Sequence, residues 1–143
     1  MRILMFSWKD LKCPAAGGAE VMTWEILKEL ALKGHKVTLF TSRYLLSIPN
    51  HEIADGVEVY RAGGRFGVYF WAVFYYFRFF RNKFDLVIDE VNTLPFFTPL
   101  FVRGKILAFI PQLARELWFY ETRFPISLAG FVLEPAFLLL YRN

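Results

Sequence analysis

Arg2-Ile3-Leu4-Met5-Phe6-Ser7, then Pro14-Ala15-Ala16-Gly17-Gly18-Ala19-Glu20 across a polar loop, is the stretch on which the architecture turns. The first run is almost continuously apolar, as expected of a strand covered on both faces in a parallel sheet. After the glycines, Val21, Trp24, Leu27, Leu30 and Ala31 recur at spacings of three or four. Glu25, Lys28, Glu29 and Lys33 take the other side, which predicts an amphipathic helix. Gly34 stands where a left-handed helix cap is favoured, and Val37–Thr41 reads as the second strand. The opening unit is therefore strand, loop, helix, strand.

The same alternation continues. Ser42 to Gly56 holds turn residues ahead of a third strand at Val57–Arg61, and Gly63-Gly64-Arg65-Phe66-Gly67 reads as a flexible link. Residues 68–82 predict a helix that is apolar nearly all round, which implies burial on more than one side. Phe84–Asp89 is the fourth strand and Lys105–Ile110 the fifth; Asn92 or Thr93 is placed to cap a short helix near Pro95. Residues 127–141 are helical in pattern, with Pro135 expected to kink them. The fold class is α/β, a doubly wound, mainly parallel sheet with right-handed crossovers. Residues 1–143 form a single domain, and the pattern leads us to expect an incomplete one, since a further strand would follow the last helix.

Ligands of open α/β sheets bind beyond the carboxyl ends of the strands, where the Gly17-Gly18 loop falls. Two glycines let the backbone take positive φ and approach a ligand closely. The N–H groups of the helix start and its dipole favour an anion. The turn is thus either a phosphate site or a tight connection without a ligand. A dinucleotide fingerprint is absent, because the glycine spacing differs and the second strand ends Thr41-Ser42-Arg43 without an acid. No P-loop pattern occurs.

The 143 residues are 56% hydrophobic and 20% aromatic, with a net charge of +4. Such a chain folds, and its basic residues are too dispersed for a nucleic-acid tail. Cys13 is the single cysteine, which excludes an internal disulfide and fits a reducing compartment. The apolar run Val68–Phe77 is about half the ~20 residues a membrane span requires. The reading is a cytoplasmic domain.

Met1-Arg2-Ile3-Leu4, Pro14-x-x-Gly17-Gly18-x-Glu20 and Leu30-Ala31-x-x-Gly34-His35-x-Val37 together resemble the start of family 4 retaining glycosyltransferases. Phe109-Ile110-Pro111-Gln112-Leu113-Ala114-Arg115-Glu116-x-Trp118 and Leu133-Glu134-Pro135 leading to Tyr141-Arg142 extend the resemblance along the chain. It implies the Rossmann-like N-terminal, acceptor-side half of a GT-B fold. Such an enzyme transfers a hexose with retention from a nucleotide-sugar donor to a glycan or lipid-linked acceptor, as in cell-envelope polysaccharide synthesis. A C-terminal donor domain, in cis or in trans, would be needed for activity. The alternative is a non-catalytic acceptor-binding or membrane-docking subunit of a split enzyme. By the same resemblance Gly17, Gly18 and Glu20 would meet the donor diphosphate, and no metal or other cofactor is expected.

Asp89 and Glu90 would point to opposite faces of their strand. Glu90 or Asn92 is then a candidate for an acceptor hydroxyl. Pro111 occupies a position where relatives often carry histidine, and proline can neither shuttle a proton nor donate a hydrogen bond. His35 falls at the opposite edge of the sheet, and His51 in a loop. Gln112, Arg115 and Glu116 are the remaining polar candidates for the cleft; Arg115 would hold an anion or pair with Glu116 or Glu121. Residues 66–83 are rich in aromatics and flanked by Arg78, Arg81 and Lys83. That segment is core and interdomain contact, a peripheral contact with an anionic membrane, or a true span.

Overall fold

A computed structural model describes residues 1–111 and 123–141. Six strands form one sheet: β1 (Arg2–Phe6), β2 (Lys36–Thr41), β3 (His51–Ala54), β4 (Val57–Arg61), β5 (Leu86–Glu90) and β6 (Ile106–Phe109). Their order is β3-β4-β2-β1-β5-β6. All neighbours pair in parallel except β3, which runs antiparallel to β4. The chain winds outward from β1 in one direction, then returns to β1's other side with β5. The sheet is thus doubly wound, and its switch point lies between β1 and β5.

Alternation along the strands divides the core in two. Ile3, Met5, Val37, Leu39, Val57, Val59 and Ile88 face α1 (Gly18–Leu32), which contributes Leu27. Leu4, Phe6, Phe40 and Val87 face the other layer. That layer is α2 (Gly67–Tyr75), continued by a π-helical turn (Tyr76–Phe80), which contributes Val68, Ala72, Tyr76 and Phe80. The last described helix, α3 (Ile126–Leu139), runs through Pro135.

Several expectations are corrected. A sixth strand, β3, lies in the stretch read as turns; Asp55 and Gly56, both at positive φ, close its hairpin with β4. On α1 the inward face at its start is Glu20 and Thr23, whereas Val21 is exposed, because both polar side chains are needed beneath the sheet edge. Residues 63–67 are a tied turn, not a flexible link: Gly63 O accepts from Arg43 N at 2.8 Å and Arg65 O from the Trp8 indole at 2.9 Å. No helix begins at Asn92 or Thr93. A short 3-10 turn spans Thr98–Leu100 instead. It is held by Asp89, which accepts from the N–H of Phe96 at 3.0 Å and of Thr98 at 3.2 Å. The aromatic helix buries one side only, since Phe70, Trp71, Phe74 and Phe77 are exposed. Among the described residues no helix is long and apolar enough to cross a membrane.

Candidate functional site

The loops after β1 and β5 meet at the switch point. α1 begins at Gly18, with Gly17 extended at φ −133°. Neither glycine takes positive φ, so the expected left-handed turn is not formed; what the pair provides is bare backbone. A Cβ on Gly18 would meet nothing within 4 Å. The N–H groups of Gly18 and Ala19 lie in the first turn, where no intrahelical acceptor exists.

Glu20 holds this turn from inside. It is 4% exposed. Its Oε2 accepts from Gly17 N at 2.6 Å, and Oε1 from Asn92 Nδ2 at 3.2 Å. Lys9 Nζ stands 3.4 Å from the same Oε1 and donates to Ala15 O at 3.1 Å. Glu20 is therefore a positioning residue with its oxygens already engaged, and the Gly17 N–H expected to face an anion is taken. The carbonyl oxygen of the Asn92 side chain has no donor among the described residues. Lys9 was not anticipated from the sequence. Its only signal was its place in the loop leaving β1.

Asp89 and Glu90 do point to opposite faces. Asp89 accepts from Thr98 Oγ1 at 2.9 Å and from the Tyr141 hydroxyl, and burial pushes its pKa up. Glu90 is 2% exposed and withdrawn beneath the turn, where Thr23 Oγ1 donates to its Oε1 at 2.6 Å. Its Oε2 has no partner. Burial raises its pKa to about 7, because the low-dielectric surroundings disfavour the charged form. Glu90 is thus enclosed beneath the turn, whereas Asn92 is half-buried at the end of β5.

Pro111 follows the end of β6, half-buried. Gln112, Arg115 and Glu116 lie outside the described residues. His35 sits beside the N-terminal amine at 3.2 Å, at the amino edge of the sheet, and His51 is on edge strand β3, so neither approaches the crevice.

Between the loops after β1 and β5, the start of α2 and α3 lies a cavity of about 310 Å³, walled by Trp8, Phe66, Tyr69, Leu94, Leu133 and Phe137, with Arg65 among its lining. Burial pushes the Tyr69 hydroxyl's pKa well up. A second polar cluster fastens the β1 loop to β4. Arg61 is 3% exposed, its Nε donates to Asp10 Oδ2 at 2.6 Å, and its Nη2 donates to Glu52 Oε1 at 2.6 Å.

A doubly wound sheet with an open glycine turn and a crevice at its switch point defines a Rossmann-like α/β domain. The profile of Glycosyltransferase Family 4 matches residues 16–117. The chain belongs to that family. In three dimensions it is similar to sucrose-phosphate synthase from Thermosynechococcus elongatus, with a TM-score of 0.67 and 16% sequence identity. At that identity the likeness is one of fold. The match covers 96% of this chain and 40% of the synthase chain, so this chain spans well under half of that length. A comparison with curated proteins finds no match.

Proposed function

We propose that this domain is the acceptor side of a cytoplasmic glycosyltransferase. It would work with a donor-binding half, in cis or in trans, to transfer a hexose with retention from a nucleotide-sugar. The hexosyl group passes to an acceptor oxygen, and a nucleoside diphosphate leaves. The observation carrying this reading is the bare, outward backbone of Gly18 at the switch point, with Lys9 nearby. First-turn N–H groups and the helix dipole offset charge developing on a leaving diphosphate, without a metal being invoked. The amide oxygen of Asn92 would accept from the acceptor hydroxyl. The apolar cavity between the loops after β1 and β5 and α3 favours an acceptor carried on a lipid over a free glycan.

Two measurements test the reading. Pyrophosphate, the minimal mimic of the donor diphosphate, should shift the backbone amide NMR signals of Gly18 and Ala19, and Gly18→Val should abolish the shifts. The 143 residues alone should give no transfer from UDP- or GDP-hexoses. Shifts confined to other amides, or turnover by the isolated chain, would overturn it.

A further inference from the structure

α2 and its π-helical turn present two unlike faces. Val68, Ala72, Tyr76 and Phe80 are buried against the sheet. On the opposite side Phe66 (79% exposed), Phe70 (73%), Trp71, Phe74 and Phe77 form an exposed aromatic strip. At its middle the rings pack on one another, with centroids 6.4 Å apart for Phe70–Trp71 and 5.4 Å for Trp71–Phe74. An apolar strip of that kind on a surface marks a contact.

Charge identifies the contact. Residues 62–84 contain no Asp or Glu, and Arg65, Arg78, Arg81 and Lys83 stand at the two ends of the strip. None of these cations pairs with a carboxylate among the described residues. Two guanidinium groups lie over rings of the strip instead, Arg65 at 5.5 Å from Phe66 and Arg81 at 5.9 Å from Phe77, and Arg78 lies 5.1 Å from the neighbouring Phe79. Aromatic rings with cations beside them match the boundary between acyl chains and headgroups. The helical segment, Gly67 to Phe80, is roughly 20 Å long at a helical rise of 1.5 Å per residue. It can lie in that boundary and not cross it.

We propose that this face docks in the plane of an anionic phospholipid bilayer, with Phe66, Phe70, Trp71, Phe74 and Phe77 inserted and Arg78, Arg81 and Lys83 on the headgroups. Docking requires no glycosyl transfer, so it stands or falls separately from the reading of the switch-point crevice.

The test is cosedimentation of the 143-residue chain with vesicles of equal parts phosphatidylglycerol and phosphatidylcholine, against phosphatidylcholine alone. Binding to the anionic vesicles is expected at low salt, together with a blue shift of tryptophan fluorescence. Arg78→Gln with Arg81→Gln should weaken partitioning about thirtyfold, since each cation near such a surface strengthens binding by a factor of roughly five. Phe70→Ser with Phe74→Ser should weaken it at least about tenfold. All four side chains are exposed, and unchanged far-UV circular dichroism identifies folded variants. Failure to sediment at low salt, or sedimentation unaffected by both pairs, overturns the proposal. So does a wild-type dimer, seen by light scattering, that Phe70→Ser with Phe74→Ser converts to monomer, because a second copy would then occupy the face.

Discussion

Asn92 Nδ2 donates to Glu20 Oε1 at 3.2 Å, joining the loop after β5 to the first turn of α1. The two residues are 72 positions apart and follow strands on either side of the switch point. Because Glu20 also accepts from Gly17 N and neighbours Lys9, this one carboxylate fixes where the glycine backbone stands relative to the end of β5. The crevice is therefore shaped before any ligand arrives, and its walls are coupled through a side chain that no ligand needs to touch.

Glu20→Ala removes that coupling and takes an acceptor from the exposed Gly17 N–H and a carboxylate from the half-buried Lys9 ammonium, which keeps its bond to Ala15 O. It should destabilise the domain by about 1–3 kcal/mol, the range for hydrogen bonds to a buried carboxylate whose partners water can reach. Asn92→Ala removes only a neutral donor from Glu20 and should cost about 0.5–1.5 kcal/mol. Urea unfolding of the two variants provides the comparison; an equal or smaller loss for Glu20→Ala contradicts the role given to its carboxylate.

What the sequence disclosed follows from the same distinction between local and long-range causes. β1, β2 and β5 are legible because both their faces are covered and their residues are apolar without interruption. Gly34 is legible because a helix end asks for φ near +85° there. β3 is not, since His51-Glu52-Ile53-Ala54 lies at the sheet edge with Ile53 exposed and has no hydrophobic period to betray it; the Asp55-Gly56 pair was the only clue. The carboxylates at the end of β5 could be assigned to faces, but not to partners. Thr23 under Glu90, Lys9 under Glu20 and Asp10 under Arg61 are pairings across elements, which spacing along the chain does not encode.

Glu90 makes stability depend on pH. Its pKa is raised from 4.5 to about 7 in the folded domain, so the folded state holds more protons than the unfolded state between those values. The contribution is full below about pH 4.5, declines as pH rises, and is gone above about pH 7. Across that interval the wild type should lose about 3 kcal/mol relative to Glu90→Gln, one pKa unit being about 1.36 kcal/mol. Gln keeps an oxygen for Thr23 and carries no charge to bury. Asp89 is shifted in the same direction, so the variant retains a shallower slope. Chemical denaturation at pH 4.5, 6 and 8 checks this; parallel curves for the two proteins would sink it.

Arg61 is almost fully enclosed between Asp10 and Glu52, with Nη1 also donating to Pro49 O at 3.1 Å. Arg61→Met leaves the equally buried Asp10 without a cation and should cost about 3–5 kcal/mol. Adding Asp10→Leu removes the stranded charge and should recover much of that loss, because a buried ion pair contributes little net against an apolar pair. A double variant no more stable than Arg61→Met, measured by thermal unfolding, would show that the guanidinium acts through Pro49 and Glu52 instead.

Adjacent glycines in the loop before α2 should respond oppositely to the same methyl group. Gly63 has φ +69°, and a Cβ there would lie 2.6 Å from both Gly67 C and Val68 N. Neither backbone atom can move without displacing the start of α2. Gly63→Ala therefore combines a left-handed penalty with a steric one and should cost about 2–5 kcal/mol. A Cβ on Gly64 meets nothing within 4 Å, and Gly64 is not at positive φ; Gly64→Ala should stay within about 0.5 kcal/mol of wild type. The difference has a local signature as well. Trp8 donates its indole N–H to Arg65 O at 2.9 Å, so displacing this turn in Gly63→Ala should free the indole and alter near-UV circular dichroism, while Gly64→Ala leaves it unchanged. Equal effects of the two substitutions on stability and on the tryptophan signal would mean that the turn is not pinned against α2 at Gly63.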